Sequence, residues 1–172
     1  MLLSAPKDDV RYYMNGVNIY RHETSIVISV TCGHSLLRVE LNGNEDNVIQ
    51  VDQNTNVILD HASLTKILKM SNIKNPPILT VSDGMVYLDN YEVDTIDGRF
   101  PDINRVLKSR TDKNLDGNSQ GVNLKLLTKL SKSISMLTEY SEFTMHSFEG
   151  FKLYRKTDVG TITALLMPTR VN

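Results

Sequence analysis

Short runs of β-branched and aromatic residues, broken every few positions by Gly, Asn or Asp, recur along the chain and restrict it to sheet-rich folds. Two stretches break that rule with helical spacing. In 61–70, Leu64, Ile67 and Leu68 share one face while Lys66 and Lys69 take the other. In 126–134, Leu126, Leu127, Leu130 and Ile134 form a second stripe, with Lys125, Lys129 and Lys132 opposite. A short strand precedes each helix (56–59 and 122–124), and Asp60 is placed to cap the first. Three strands follow each: 78–81, 85–88 and 91–96, then 142–146, 151–154 and 161–166. The unit strand–helix–strand–strand–strand therefore spans 56–96 and 122–168. Three further strands stand in front of it, at 11–20 with a kink at Asn15-Gly16, at 25–30 and at 36–41. Turns are expected at Asn42-Gly43-Asn44, Asn75-Pro76-Pro77, Ser82-Asp83-Gly84 and Asp89-Asn90. The pattern predicts an α+β fold of repeated modules, its helices together on one side of antiparallel sheets.

The segment 97–107 carries more than a hairpin turn needs. Pro101 fixes its own φ and drives Phe100 toward an extended conformation, so a stiff connector is expected. Arg105 beside Val106 and Leu107 offers a cation next to apolar side chains, a combination suited to holding a peptide. Residues 108–121, rich in Lys, Asp, Asn, Ser and Gly, read as a linker or exposed loop.

A length of 172 residues allows one domain, or a domain and a fragment, with a real core. The net charge of −1 gives no bulk basic field for nucleic acid, so such a role would need local patches. Cys32 is the only cysteine, which excludes an internal disulfide and fits a reducing, cytoplasmic setting. No apolar run is long enough to span a membrane, and Pro6 interrupts the start too early for a signal peptide. His22, His61 and His146 have no Cys or His at metal spacing, so no metal or cofactor is expected. No phosphate loop, nucleophile elbow or helical carboxylate pair is present, and a non-enzymatic role is expected.

Four stretches together resemble the bacterial DNA polymerase III beta subunit, the sliding clamp. Residues 10–16 (Val-Arg-Tyr-Tyr-Met-Asn-Gly) are similar to the opening of that family's middle domain. Residues 31–36 resemble its Thr-Asp-Gly-His-Arg-Leu hairpin, with Cys32 for the acid and Ser35 for the arginine. Residues 97–102 match its Asp-Gly-Arg-Phe-Pro-Asp segment, and 165–171 resemble its Met-Pro-Met-Arg end, with Thr169 for a methionine. The resemblance implies a DNA-clamp-like α+β fold. It divides the chain into 1–107, like a clamp middle domain without its first strand and helix, a linker at 108–121, and 122–172, like the second half of the third domain.

In that family the matched stretches converge on a hydrophobic groove that takes short peptides with glutamine, leucine and phenylalanine anchors. The resemblance carries the groove onto Met14, Thr31, Gly33, His34, Leu36, Pro101, Arg105, Val106, Leu165, Met167, Pro168, Thr169 and Arg170. The implied partners are DNA polymerase and clamp-loader subunits carrying clamp-binding motifs, with a host sliding clamp or a second copy as further candidates. Double-stranded DNA is implied only if a ring forms, when Lys66, Lys69, Lys125, Lys129 and Lys132 would face phosphates; otherwise they are solvated helix faces. Taken singly, Met14, Leu36, Leu165 and Met167 also suit plain core packing. Three readings follow: a clamp-like binding module, acting as decoy or modulator; a processivity factor forming an oligomeric ring; and a degenerate structural fragment.

Overall fold

The computed structural model describes residues 1–42, 49–70, 77–108, 121–139, 144–148, 150–157 and 160–169. A seven-stranded antiparallel sheet is the backbone of the fold. Its strands are β1 (Gly16–His22), β2 (Ser25–Thr31), β3 (Ser35–Asn42), β5 (Asn56–Asp60), β9 (Thr144–Phe148), β10 (Gly150–Thr157) and β11 (Gly160–Leu166), in the order β5-β1-β2-β3-β11-β10-β9. A second sheet holds β4 (Ile49–Val51), β6 (Leu79–Ser82), β7 (Met85–Leu88) and β8 (Tyr91–Glu92) in the order β4-β6-β7-β8. Its β4–β6 pair is parallel, an exception to the expected antiparallel pattern. Among the described residues there are three α-helices: α1 (His61–Met70), α2 (Ile103–Lys108) and α3 (Leu124–Ser135). Among the described residues no helix is long and apolar enough to cross a membrane.

Alternation along the strands gives the large sheet two different faces. One presents Val17, Ile19, Val30, Leu37, Val39, Ala164 and Leu166 to Leu64 and Ile67 of α1 and to Leu130 and Ile134 of α3. The lysine-bearing helices therefore lie on one side, as their stripes require. The opposite face presents Leu36, Ile58 and Leu165 to Phe100 and Ile103. The Asp60 carboxylate caps α1 by accepting from Ser63 N at 2.8 Å, as read from the sequence.

Several local expectations are corrected. Residues 11–15 are not strand: Tyr12–Met14 is a 3₁₀ turn. Asn15 closes it, its amide accepting from Asp9 N at 2.8 Å and donating to Asp9 O at 2.9 Å. Val122–Leu124 is not a strand either, because Asn123 accepts from Lys125 N and Leu126 N and starts α3. The strand expected over 91–96 stops at Glu92. The chain then changes sheets, with Thr95 bridging Leu59 and Ile96 N donating to Ile58 O at 2.8 Å. Leu127, grouped with the α3 stripe, is exposed. The expected turns at 42–44 and 75–77 and the linker at 108–121 lie almost wholly outside the described residues.

The N-terminal residues, which carry no sequence signal for structure, form part of the core. Leu2–Ser4 makes a 3₁₀ turn against α3, where the Ser4 and Ser133 hydroxyls lie 2.7 Å apart and buried. Ala5, with Met1 and Leu2, packs into the main cluster.

His61 opens α1 in a buried position, and burial, with Lys7 acting in the same direction, pushes its imidazole below the usual range. The unfolded chain therefore takes up a proton first as pH falls. The stability that His61 contributes is full above its ordinary value of 6.5 and is lost progressively below it. Thermal melts at pH 7.5 and 5.5 are expected to show a drop that shrinks in His61→Asn.

Candidate functional site

The site begins at the tip of the β2–β3 hairpin. Thr31 Oγ1 donates to Ser35 O at 2.9 Å and accepts from Gly33 N at 3.1 Å, while Cys32 N donates to Ser35 O at 3.1 Å. Gly33 has a φ of +81°, open to glycine at little cost. A Cβ there would also lie 2.7 Å from Arg11 Nη1. That close approach matters, because Arg11 ties the preceding 3₁₀ turn to the hairpin. Its Nη2 donates to Cys32 O at 3.1 Å and to Asp9 Oδ2 at 2.7 Å, and its Nε donates to Asp9 Oδ1 at 2.8 Å. These bonds hold the Asp9 carboxyl down at about 2, so the clip stays charged until strongly acid pH. Met14, three residues beyond Arg11, is thereby buried beside the hairpin.

Two further segments close around it. After Pro101, Asp102 caps α2, its Oδ1 accepting from Arg105 N at 3.0 Å. Phe100 and Ile103 pack on Leu36 and Leu165 of the sheet. At the end of β11, Met167 N donates to His34 O at 2.8 Å, which pins the last segment to the hairpin.

The result is an open, mostly apolar slot of about 110 Å³ lined by Met14, Thr31, Gly33, His34, Ser35, Leu36, Pro101, Ile103, Val106, Leu165 and Met167. Of the residues singled out from the sequence, Met14, Thr31, Gly33, His34, Leu36, Pro101, Val106, Leu165 and Met167 meet here. Arg105 is exposed on α2 and does not line the slot. Pro168 and Thr169 lie just beyond it, where Thr169 pairs with Gly121 through bonds of 2.9 and 3.0 Å. Arg170 lies outside the described residues. Ser35 and Ile103 were missed; Asp102, an N-cap residue type directly before Ile103, is the signal that places Ile103 on the first turn of a helix rather than in an extended connector.

Lys66, Lys69, Lys125, Lys129 and Lys132 are all exposed and stand apart from the slot. Lys129 and Lys132 instead flank a broad cleft of about 790 Å³ that also meets Lys7, Asp8, His61 and Thr65. Among the described residues no three His, Cys, Asp or Glu side chains gather as metal ligands.

A seven-stranded sheet with paired helices on one face and a connector-walled slot on the other defines the chain as a protein of the DNA-clamp fold. Its architecture is that of the DNA polymerase III beta subunits, the bacterial sliding clamps. The Helicobacter pylori beta clamp, solved with 3,4-difluorobenzamide, superposes with a TM-score of 0.68 at 15% identity, over 99% of this chain and 62% of the clamp. The Caulobacter crescentus pol III beta gives 0.53 at 17% identity, over 99% and 61%. The Pseudomonas aeruginosa subunit gives 0.53 at 13%, over 99% and 62%. The chain thus spans about 62% of the length of such clamps. No protein-family model matches the sequence, and neither does any curated protein.

Replacing Gly33 by Ala combines an unfavourable φ with a contact on Arg11, and is expected to destabilise the fold by more than about 1 kcal/mol. Urea unfolding checks this; an unchanged midpoint would mean that the hairpin tip is not held as described.

Proposed function

We propose that the chain is a clamp-like, non-enzymatic module of DNA replication whose slot docks the short clamp-binding motifs of polymerase or clamp-loader subunits. One observation carries the reading. Four chain segments remote in sequence bring nine residues expected from the clamp resemblance into a single open apolar slot. Such a slot suits recognition of a linear segment, where a few buried anchors supply the energy. Met14 and Met167 give it adaptable walls, and Thr31, His34 and Ser35 add polar residues to an otherwise apolar lining. On this reading 1–107 is the middle-domain-like part, 108–121 the linker, and 122–172 the third-domain-like part, joined through β3 and β11.

The test is a fluorescence titration with a labelled glutamine-leucine-phenylalanine clamp-binding peptide. Met167→Ala is expected to lose about 1.5 kcal/mol, roughly tenfold in affinity. Equal, weak binding by parent and variant would reject the slot as the docking site.

A second reading, a processivity factor assembled as a ring, is favoured by one feature. Lys66, Lys69, Lys125, Lys129 and Lys132 are exposed on two helices packed against the same sheet face. A ring predicts a closed symmetric oligomer by light scattering, retained on circular but not linear DNA. It also predicts that charge reversal at Lys129 and Lys132 flattens the salt dependence of that retention.

A further inference from the structure

Beyond Pro101 and Ile103, which wall the apolar slot, the same sheet face carries a second, polar cavity of about 330 Å³. The strand register fixes how the two relate. Thr31, Leu36 and Leu165 stand side by side on β2, β3 and β11 beneath the slot. Two residues along each strand, the next row on that face is Ser29, Arg38 and Thr163, continued on β1 by Asn18. Two residues of strand are roughly 7 Å, the same distance that separates alternate side chains of an extended peptide. A segment seated in the slot can therefore reach the second cavity without bending.

Several of the acceptors that line the cavity are already committed. Asn18 Oδ1 takes the Ser29 hydroxyl at 3.4 Å, Asn56 Oδ1 takes Asn18 Nδ2 at 2.9 Å, and Asp102 Oδ1 is committed to the α2 cap at 3.0 Å. Donors are left over. The Arg38 side chain is 17% exposed, and among the described residues its guanidinium makes one ion pair, Nη2 to Glu40 Oε2 at 2.9 Å. Its Nε is buried with no partner. A guanidinium has five N–H donors in a planar fork, so a largely desolvated one with a single bond is an unfilled acceptor site. Arg99 adds a second, exposed guanidinium to the lining, opposed by the carboxylate of Asp102.

We propose that this cavity is a carboxylate subsite, and that it receives an acidic side chain carried by the same segment that docks in the slot. Carboxylate is the ligand that matches a guanidinium fork with charge-assisted bonds, and the shared Pro101 and Ile103 place the cavity next to the slot on the same sheet face. The proposal rests on the peptide-docking reading and adds to it what the segment carries beside its apolar anchors.

The experiment uses the full chain and labelled anchor peptides in which Glu, or Gln as its uncharged counterpart, is walked through three positions on either side of the anchors. At one position the Glu peptide is expected to bind at least about fivefold tighter than its Gln twin. Arg38→Met, which keeps the apolar stem, is expected to abolish that preference and leave the Gln peptide unaffected. Equal binding of Glu and Gln at every position, or a preference that survives in Arg38→Met, would overturn the subsite and leave the slot reading standing. Should no peptide bind, the slot reading fails, and glutarate titrated against the Arg38 guanidinium resonances decides the cavity alone. A saturable shift would sustain carboxylate binding there, and no shift would end it.

Discussion

The pairing of β3 with β11 is the constraint on which the remaining structure depends. Seven residue pairs join 35–41 to 160–166, so the second half of the chain completes a sheet begun by the first. Because side chains alternate, this one ladder builds two environments at once. Leu37, Ala164 and Leu166 face the helices, while their neighbours Leu36 and Leu165 face the connector. A slip of one residue would exchange the two sets, emptying the helical core and removing the floor of the slot together. Gly160 holds the end of the ladder, since a Cβ there would meet Glu40 O at 2.1 Å. Core and candidate site are thus two consequences of one register.

The helical face shows how the same core is closed at its other boundary. α1 and α3 cover the sheet, and the N-terminal turn packs beside α3, where Ser4 gives the fully buried Ser133 hydroxyl its partner. Nothing in the composition of 1–9 announces this, because a three-residue turn has no period to read. The same limit explains α2. Its six residues span less than two turns, so Ile103, Val106 and Leu107 look as much like an extended apolar run as a helix face. By contrast α1 was legible to the residue, since ten residues with a carboxylate cap and an apolar stripe leave little ambiguity.

Where sequence reading failed, a polar side chain or a distant strand had decided the local structure. Asn123 and Asn15 divert backbone amides into caps and turns, which ends two stretches whose β-branched and aromatic content suggested strands. After Val93, still bonded to Val86, the segment 94–96 leaves β7 because the edge of β5 offers the Leu59–Thr95 bridge, a partner no local pattern can reveal. The slot was legible to a different extent. Its hairpin, connector and terminal residues were named from motif resemblance, whereas Ser35 and Ile103 belong to it only because the fold turns them inward.

The walls of the slot are shaped by polar bonds as well as by its own apolar packing. Arg11 secures the turn carrying Met14 to the Cys32 carbonyl, Asp102 fixes the first turn of α2, and the His34 carbonyl holds Met167. The Met14, Val106 and Met167 side chains are therefore brought together before anything enters, and the ordering cost that docking would otherwise carry is met during folding. This division of labour explains why so much polar structure surrounds a small greasy cavity. Apolar packing of Ile103 on Leu36 and Leu165 seats the capped α2, whereas the Arg11 and His34 bonds tie the Met14 turn and Met167 to the hairpin, on a sheet whose register cannot slip.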